Sequence, residues 1–220
     1  MPDYTVQIPV GSITLEGNLT IPVNSQAVIL FAHGSGSSRY SARNQYVAQL
    51  LARSGLSTLL VDLLTPNEDA MDRQTGHMRF DIGLLSLRLT AAMDWLATNP
   101  ATINLRLGLF GASTGAGAAM VAAAARPDRV GAIVSRGGRP DLAGQALQTV
   151  RAPTLLIVGG HDEAVVRLNR EAYDVMRTMK AMEIVPGAGH LFEEPGTLER
   201  VAELARNWFI QYLNRVPEQI

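Results

Sequence analysis

The chain has 220 residues, of which 47% are hydrophobic, 19 are basic and 20 are acidic, for a formal net charge of −1 at pH 7. This length and composition predict one globular domain over residues 1–220, and the interspersed charges give no electrostatic footprint for nucleic acid or anionic membranes. The chain has no cysteine, which excludes disulfides, thiolate metal sites and cysteine nucleophiles.

Targeting signals are not apparent in the sequence. The N-terminus lacks a basic segment followed by an apolar one, and no run of about 18 uncharged apolar residues occurs. Lys180 is the single lysine, so no lysine stands beside a glycine-rich turn and a P-loop for nucleotide phosphates is excluded. We expect a cytoplasmic protein that acts on a small molecule, without nucleic-acid or membrane partners.

Strand-like and helix-like segments alternate along most of the chain. The first two strands, at residues 5–10 and 12–21, are separated only by Gly11 and therefore predict an antiparallel hairpin. The later alternation is typical of a mostly parallel sheet with helices on both faces. Six more strands are predicted at 27–34, 56–64, 105–112, 130–137, 153–160 and 181–187. Six helices are predicted at 44–55, 80–100, 114–125, 141–147, 164–179 and 197–213.

One long segment shows no regular pattern. Residues 65–79, TPNEDAMDRQTGHMR, are predicted as a loop, and a loop of this length in a compact domain is usually functional or mobile. It is the only candidate cover for a site. Met71, Met78 and Phe80 are its candidates for the walls of a small acyl pocket.

The strand at 105–112 ends on a motif that suggests a nucleophile. Residues 111–115, Gly-Ala-Ser-Thr-Gly, fit G-x-S-x-G, a sharp strand-to-helix turn that holds a serine in a strained conformation with its hydroxyl exposed. Loops at the carboxyl ends of parallel strands line the ligand crevice, so Ser113 would face substrate. The alternative interpretation is an ordinary turn with a helix-capping serine.

A serine hydroxyl needs a base, and the base needs a group that fixes its tautomer. His190 follows the last predicted strand, where its loop can fold back towards Ser113. Asp162 follows the strand at 153–160 and stands at the same carboxyl edge. The order Ser113, Asp162, His190 is that of hydrolases with this turn. Asp62 and Asp141 are competing acids, and Asp62 breaks the order because it precedes the serine.

The other histidines suggest structural roles, and a loop after the third strand suggests an oxyanion hole. His33 is expected to hold a loop, His77 to be solvated and His161 to belong to a turn. The amide of Thr114, next to the nucleophile, is one predicted oxyanion donor. Ser35, in the loop HGSGSSR at 33–39, supplies the second. A phosphate cradle in that loop is the less favoured alternative, since it lacks a lysine and a G-x-G-x-x-G motif.

Two arginines follow the sixth predicted strand. Arg136 and Arg139, in SRGGRPD, lie on a loop that can overlook the site and bind an anionic substrate bidentately. Such arginines more often pair with nearby carboxylates, here Asp141 or Asp81.

These features together resemble the α/β-hydrolase superfamily over essentially the full chain. The resemblance rests on the antiparallel start, HGSG after the third strand, GASTG, GGHDEAV and GAGH. The short length, the lack of a large helical insertion, and the segments RFDIGLLSLRL and VSRGGRPDLAG resemble its dienelactone-hydrolase-like branch. The resemblance implies a three-layer α/β/α sandwich around an eight-stranded, mostly parallel sheet whose second strand is antiparallel. It also implies a minimal cap or none, and a triad of Ser113, Asp162 and His190.

One departure from that branch bears on the substrate. Dienelactone hydrolases proper use a cysteine nucleophile, whereas this chain has serine at the matching position, which favours ester or thioester hydrolysis over lactone hydrolysis. Some relatives of the branch are joined to a phosphoribosyltransferase domain, and nothing in these 220 residues indicates such a partner.

The sequence therefore predicts a serine hydrolase that cleaves a small carboxylic ester through an acyl-enzyme intermediate and requires no metal or organic cofactor. Two alternatives stay open: a cofactor-free perhydrolase or haloperoxidase with the same triad, and a non-catalytic binding module on a hydrolase fold. The expected partner is a small-molecule ester, and a homo-oligomer is one option for the assembly.

Overall fold

A computed structural model of the protein describes residues 3–213, which form one eight-stranded sheet in the order β1-β2-β4-β3-β5-β6-β7-β8. The strands are β1 (Asp3–Val10), β2 (Ile13–Thr20), β3 (Ala27–Ala32), β4 (Ser57–Val61), β5 (Arg106–Ala112), β6 (Val130–Arg136), β7 (Thr154–Gly159) and β8 (Lys180–Val185). The α-helices are α1 (Ala42–Arg53), α2 (Pro66–Thr75), α3 (Ile82–Leu96), α4 (Thr114–Ala125), α5 (Glu163–Val175) and α6 (Thr197–Leu213), and 3₁₀ helices cover Met78–Phe80 and Pro140–Gln148.

The predicted antiparallel start and parallel body of the sheet are confirmed. β1 and β2 form a hairpin in which Val10 pairs with Ile13, and Gly11 turns the chain with a φ of 58°. β2 also pairs antiparallel with β4, and every pair beyond that one is parallel. The carboxyl ends of β3 to β8 therefore meet at one edge of the sheet.

Helices cover both faces of the sheet, which explains why its central strands are continuous apolar runs. All six residues of β3 are buried, and they alternate between two apolar clusters. One cluster packs the sheet against α3, α4 and α5, and the other packs it against α1 and α6. Alternation between clusters places them on opposite faces, because successive side chains of a strand point to opposite sides.

The prediction of a long loop at 65–79 is wrong, because most of this segment is the helix α2. Thr65 caps it: its hydroxyl accepts from the amide of Glu68, and the Glu68 carboxylate accepts from the amide of Thr65 at 2.8 Å. Pro66 starts the helix and Gly76 ends it with a φ of 68°. The sequence TPNE is typical of a helix N-terminus: it has a threonine cap, a proline at the first helical position and a glutamate at the third.

Other boundaries differ by a few residues. The helix predicted at 80–100 begins later because Asp81 caps it, accepting from the amide of Leu84 at 2.9 Å. The short helix predicted at 141–147 is a 3₁₀ helix interrupted at Gly144, whose φ is 52°. The strands predicted at 27–34 and 56–64 end at Ala32 and Val61. Within residues 3–213, no helix combines the length and the apolar character needed to span a membrane.

Candidate active site

The turn between β5 and α4 holds Ser113 in a conformation that side-chain-bearing residues rarely adopt, with φ 49° and ψ −124°. Its flanking glycines have no room for a side chain. A Cβ on Gly111 would collide with the backbone of α4, and one on Gly115 would collide with the carbonyl oxygens of Ala32 and His33. The close approach of β3, β5 and α4 therefore fixes the turn and leaves the serine at the carboxyl edge of the sheet.

Asp162 and His190 come together from the ends of two other strands. Asp162 follows β7, His190 follows β8, and the His190 Nδ1 lies 2.6 Å from the Asp162 Oδ2. A carboxylate can only accept, so Nδ1 carries a proton, and in the neutral ring the lone pair is then on Nε2. The amide of His161 donates to the carbonyl of Ala188 at 2.9 Å and joins the two loops. The arrangement holds one imidazole in the tautomer that a general base needs.

Ser113 and His190 face the same cavity, which has a volume of about 210 Å³. Among the hydrogen bonds of residues 3–213, none joins the Ser113 hydroxyl to His190. Catalytic hydrogen bonds are often long in free enzymes and tighten when substrate binds. The structure thus brings these two side chains to one cavity without a direct bond between them.

Two backbone amides point towards the same turn. The amide of Thr114 opens α4, and within the described residues it has no hydrogen-bond acceptor. The positive end of the helix dipole adds to its attraction for an anion. The amide of Ser35 reaches the turn as well, but it donates to the Thr114 hydroxyl at 2.9 Å. Of these two amides, only that of Thr114 has no acceptor within residues 3–213.

His33 holds the loop that carries Ser35. Its Nε2 accepts from the amide of Leu63 at 3.0 Å, so the proton is on Nδ1, which donates to the carbonyl of Gly34 at 2.9 Å. Burial lowers the pKa of His33 below its usual range and keeps the ring neutral. Because the Gly34 carbonyl and the Ser35 amide belong to one peptide plane, the imidazole orients that amide.

The competing acids have other partners. Asp62 accepts from the amide of Arg39 at 2.6 Å and pairs with its guanidinium, and Asp141 pairs with Arg139 at 2.8 Å. Neither carboxylate meets His190. For Arg139 the sequence left two interpretations open, contact with an anionic substrate and pairing with a carboxylate; its side chain pairs with Asp141 and does not line the cavity of Ser113.

Arg136 lies differently, at the end of β6 on the wall of the cavity. It is buried, and its Nη2 donates to the Oδ1 of Asn44 at 3.3 Å, while its Nε and Nη1 have no hydrogen-bond partner in the part of the chain that the structure describes. Burial, with a smaller repulsion from Arg43, lowers the pKa of Arg136 to about 10. The guanidinium stays charged at neutral pH. The sequence predicted that Arg136 lies near the site, but it could not show that no carboxylate of the described residues pairs with its guanidinium.

A neighbouring cavity of about 270 Å³ lies on the other side of the loop at 33–39 and shares Gly34, Ser35 and Ser37 with the first. Residues of α2 line this second cavity. The three side chains expected to wall an acyl pocket (Met71, Met78 and Phe80) line neither cavity. Within the part of the chain described, no group of three or more His, Asp or Glu side chains is arranged to hold a metal ion.

Solved structures resemble this fold closely. A crystal structure of dienelactone hydrolase from Anabaena variabilis is 58% identical, covers 96% of this chain and 98% of its own, and superposes with a TM-score of 0.95. Est1E from Butyrivibrio proteoclasticus covers 96% of this chain and 99% of its own with a TM-score of 0.80, but at 16% identity it shows the shared α/β-hydrolase fold alone.

Curated relatives are longer than this chain. Two Mycobacterium tuberculosis proteins, each named "Putative phosphoribosyl transferase", are 55% identical over 211 residues, which is 96% of this chain and 47% of theirs. The chain thus spans about half the length of these relatives. The family model of the dienelactone hydrolases matches residues 15–216. Together with the fold and the Anabaena structure, this match shows that the chain belongs to the dienelactone hydrolase family of α/β-fold hydrolases.

Proposed function

We propose that the chain hydrolyses small carboxylic esters with Ser113 as nucleophile, His190 as general base and Asp162 as the residue that orients the base. The observation that carries this proposal is the 2.6 Å contact between His190 Nδ1 and Asp162 Oδ2 at the cavity that Ser113 lines. Serine in a left-handed turn at a helix N-terminus, beside an imidazole with a free Nε2, is the arrangement that acyl transfer requires.

The chemistry proceeds in two steps. His190 Nε2 takes the proton from the Ser113 hydroxyl as the oxygen attacks the ester carbonyl carbon, and Asp162 stabilises the imidazolium that forms. The tetrahedral intermediate collapses, the C–O bond to the alcohol breaks, and the imidazolium returns the proton to the departing alcohol. Water then attacks the acyl-serine in the same way and releases the acid.

The oxyanion of each intermediate accepts a hydrogen bond from the Thr114 amide. The Ser35 amide becomes the second donor when the oxyanion replaces the Thr114 hydroxyl as its acceptor. Each such donor is worth roughly 3 kcal/mol of barrier. An anionic oxygen is a stronger acceptor than a hydroxyl, which favours the exchange. His33 keeps the Ser35 amide directed at the turn throughout.

The substrate is a small ester or thioester, since the cavity is about 210 Å³ and the nucleophile is an oxygen. The test is a panel of p-nitrophenyl esters of rising acyl length. We expect the highest kcat/KM on the shortest esters, and a loss of at least about 10³-fold in Ser113→Ala. Ser54→Ala, at the far end of α1, is the matched control and keeps full activity.

Two outcomes would count against this function. Full activity in Ser113→Ala means that another group is the nucleophile. Peroxide-dependent bromination faster than ester turnover means that the triad serves a perhydrolase reaction instead.

The transferase name of the mycobacterial relatives, we propose, refers to the part of those proteins that this chain does not match. In support, residues 15–216 match a hydrolase family, and the chain covers 47% of those relatives. With phosphoribosyl pyrophosphate and a panel of nucleobases, this chain should release no pyrophosphate while it hydrolyses esters. Base-dependent pyrophosphate release at a comparable rate would contradict the assignment.

A further inference from the structure

Among residues 3–213, the wall of the Ser113 cavity carries two arginines and no carboxylate. Arg43 lies in the first turn of α1, where its Nη1 pairs with the exposed Glu193 at 2.9 Å and its buried Nε has no hydrogen-bond partner among the described residues. Arg136 lies at the end of β6, and the one hydrogen bond of its side chain in this part of the chain is to the neutral Asn44. Its Nε and Nη1 are buried without a hydrogen-bond partner there, so most of its donors are unused.

The other buried arginines of residues 3–213 form salt bridges with carboxylates. Arg39 and Arg88 are 8% and 4% exposed, and each pairs with carboxylates: Arg39 with Asp62 and Glu16, Arg88 with Glu68 at 2.5 Å. Arg136 is 7% exposed, yet within residues 3–213 it forms no salt bridge. An unpaired buried charge is costly to the folded state. A charge kept at that cost beside a nucleophile indicates a ligand rather than a structural partner.

The remaining surroundings also favour an anion. Ser41, the residue that caps α1, lines the cavity, so the positive end of that helix dipole faces the same space. The hydroxyls of Ser35 and Ser37 on the opposite loop are further donors. The repulsion between Arg43 and Arg136 is relieved when a negative group lies between them.

We propose that Arg136 and Arg43 form an anion-binding subsite that holds a phosphate or carboxylate group of the substrate while Ser113 attacks the ester carbonyl. This inference rests on the proposed function for its catalytic part only. The shared chemistry is a compact oxyanion that accepts from two guanidinium groups, and phosphate and carboxylate differ in charge and in the number of oxygens they offer.

Anion binding is tested without catalysis, by the thermal midpoint of unfolding with inorganic phosphate or acetate at constant ionic strength, chloride being the balancing anion. We expect at least one anion to raise the midpoint of the native protein and of Ser113→Ala. The increase should vanish in Arg136→Met and persist in Arg151→Met, an exposed arginine outside the cavity. The more effective anion identifies the substrate group. No increase in the native protein, or an increase that survives Arg136→Met, overturns the subsite.

Stability in chloride alone separates a binding role from a structural one. Arg136→Met removes an unpaired buried charge and should raise the midpoint, whereas Arg88→Met leaves Glu68 without its partner and should lower it. A lower midpoint in Arg136→Met means that the guanidinium is structural and overturns the proposal. Arg43→Met is a second variant that should also lose the anion effect, and it serves if Arg136→Met does not fold.

Specificity is tested with three acetate esters of matched size: 2-methoxyethyl acetate, 3-acetoxypropanoate and 2-acetoxyethyl phosphate. Arg136→Met should lower kcat/KM for an anionic ester on the order of 10²-fold and change it little for the neutral one. An equal loss on all three esters overturns the specificity role. Failure of the proposed esterase is recognised separately, because anion binding to Ser113→Ala needs no turnover.

Discussion

Asp162 is the residue whose role the geometry defines most narrowly, because His190 is the only side chain with which it forms a hydrogen bond within residues 3–213. Asp162→Asn replaces a carboxylate acceptor with an amide that can turn its NH₂ towards His190 Nδ1. That contact would favour the tautomer with the proton on Nε2, which cannot act as the base. We expect kcat to fall about 10⁴-fold with little change in KM, measured on p-nitrophenyl acetate. Asp141→Asn is the control and should stay near the native rate. A loss below tenfold would mean that another acid orients the base.

His33 gives a prediction about acid stability. Burial lowers its pKa in the folded protein, and protonation of Nε2 would break the bond from the Leu63 amide. Below about pH 6.5 the unfolded state therefore binds a proton that the folded state does not, and stability falls by up to about 1.4 kcal/mol per pH unit.

The measurement is urea unfolding of the native protein and His33→Gln between pH 7 and pH 5. The difference in unfolding free energy between the two should shrink as the pH falls, because only the native protein has this histidine to protonate. A difference in unfolding free energy that stays constant between pH 7 and pH 5 would show that the pKa of His33 is not lowered in the folded protein.

At the scale of elements, the packing of α4 against β3 depends on the absence of one side chain. A Cβ at position 115 would strike the carbonyl oxygens of Ala32 and His33, which belong to the backbone and cannot move aside alone. Gly115→Ala should therefore lower the free energy of unfolding by more than about 3 kcal/mol, measured by chemical denaturation.

Gly83→Ala is the matched control for that change. Gly83 lies in α3, where the nearest neighbour of an added Cβ is a carboxylate oxygen of Asp81 at 3.2 Å. Alanine there should cost far less than at position 115, since only a side-chain oxygen has to shift and alanine favours a helix over glycine. Equal losses for the two substitutions would show that the strand-to-helix turn has no special steric demand.

The cap of α2 depends on Glu68, which also pairs with the buried Arg88. The hydrogen bond from Arg88 is the main cause that lowers the pKa of Glu68 to about 2, against an opposing effect of burial. This carboxylate therefore stabilises the fold above about pH 4.5, and its contribution is lost as the pH falls towards 2.

Glu68→Gln should cost about 2 kcal/mol at pH 7 after allowance for solvent screening. The difference from the native protein should decrease as the pH is lowered from 4.5 towards 2, measured by urea unfolding. Glu199→Gln, in the first turn of α6, is a control for the loss of one surface charge. A constant difference across this range would mean that the ionised carboxylate contributes nothing.

Much of this architecture could be predicted from the sequence, because buried parallel strands and amphipathic helices differ in period. The helix bounds at α4 and α6 are those predicted. The sequence analysis predicts a loop where α2 lies, because the residues of α2 are mostly polar; the capping pattern that starts at Thr65 is the one signal that indicates a helix there. Chain order brought Ser113, Asp162 and His190 together in the prediction, since all three follow parallel strands.

Pairings between loops could not be predicted in the same way. The bond from the Ser35 amide to the Thr114 hydroxyl joins residues 79 positions apart. The isolation of Arg136 from any carboxylate depends on which side chains pack around it, and no periodicity in the sequence encodes that. These contacts arise from tertiary packing between segments that are far apart in the sequence.

At the scale of the whole molecule, the parallel body of the sheet gathers the candidate site at one edge. The turn after β5 and the loops after β7 and β8 carry its three side chains, and β3 leads into the loop with Ser35. The hairpin of β1 and β2 lies at the opposite end of the strand order from β8. We propose that these three segments together make Ser113 nucleophilic.

The mass of the protein after exposure to an alkyl fluorophosphonate tests this proposal directly, because the reagent bonds to an activated serine and releases fluoride. We expect one adduct, located by peptide mapping to Ser113, absent in Ser113→Ala and formed far more slowly in His190→Ala. An unmodified native protein, or an adduct that forms equally fast without His190, would contradict it.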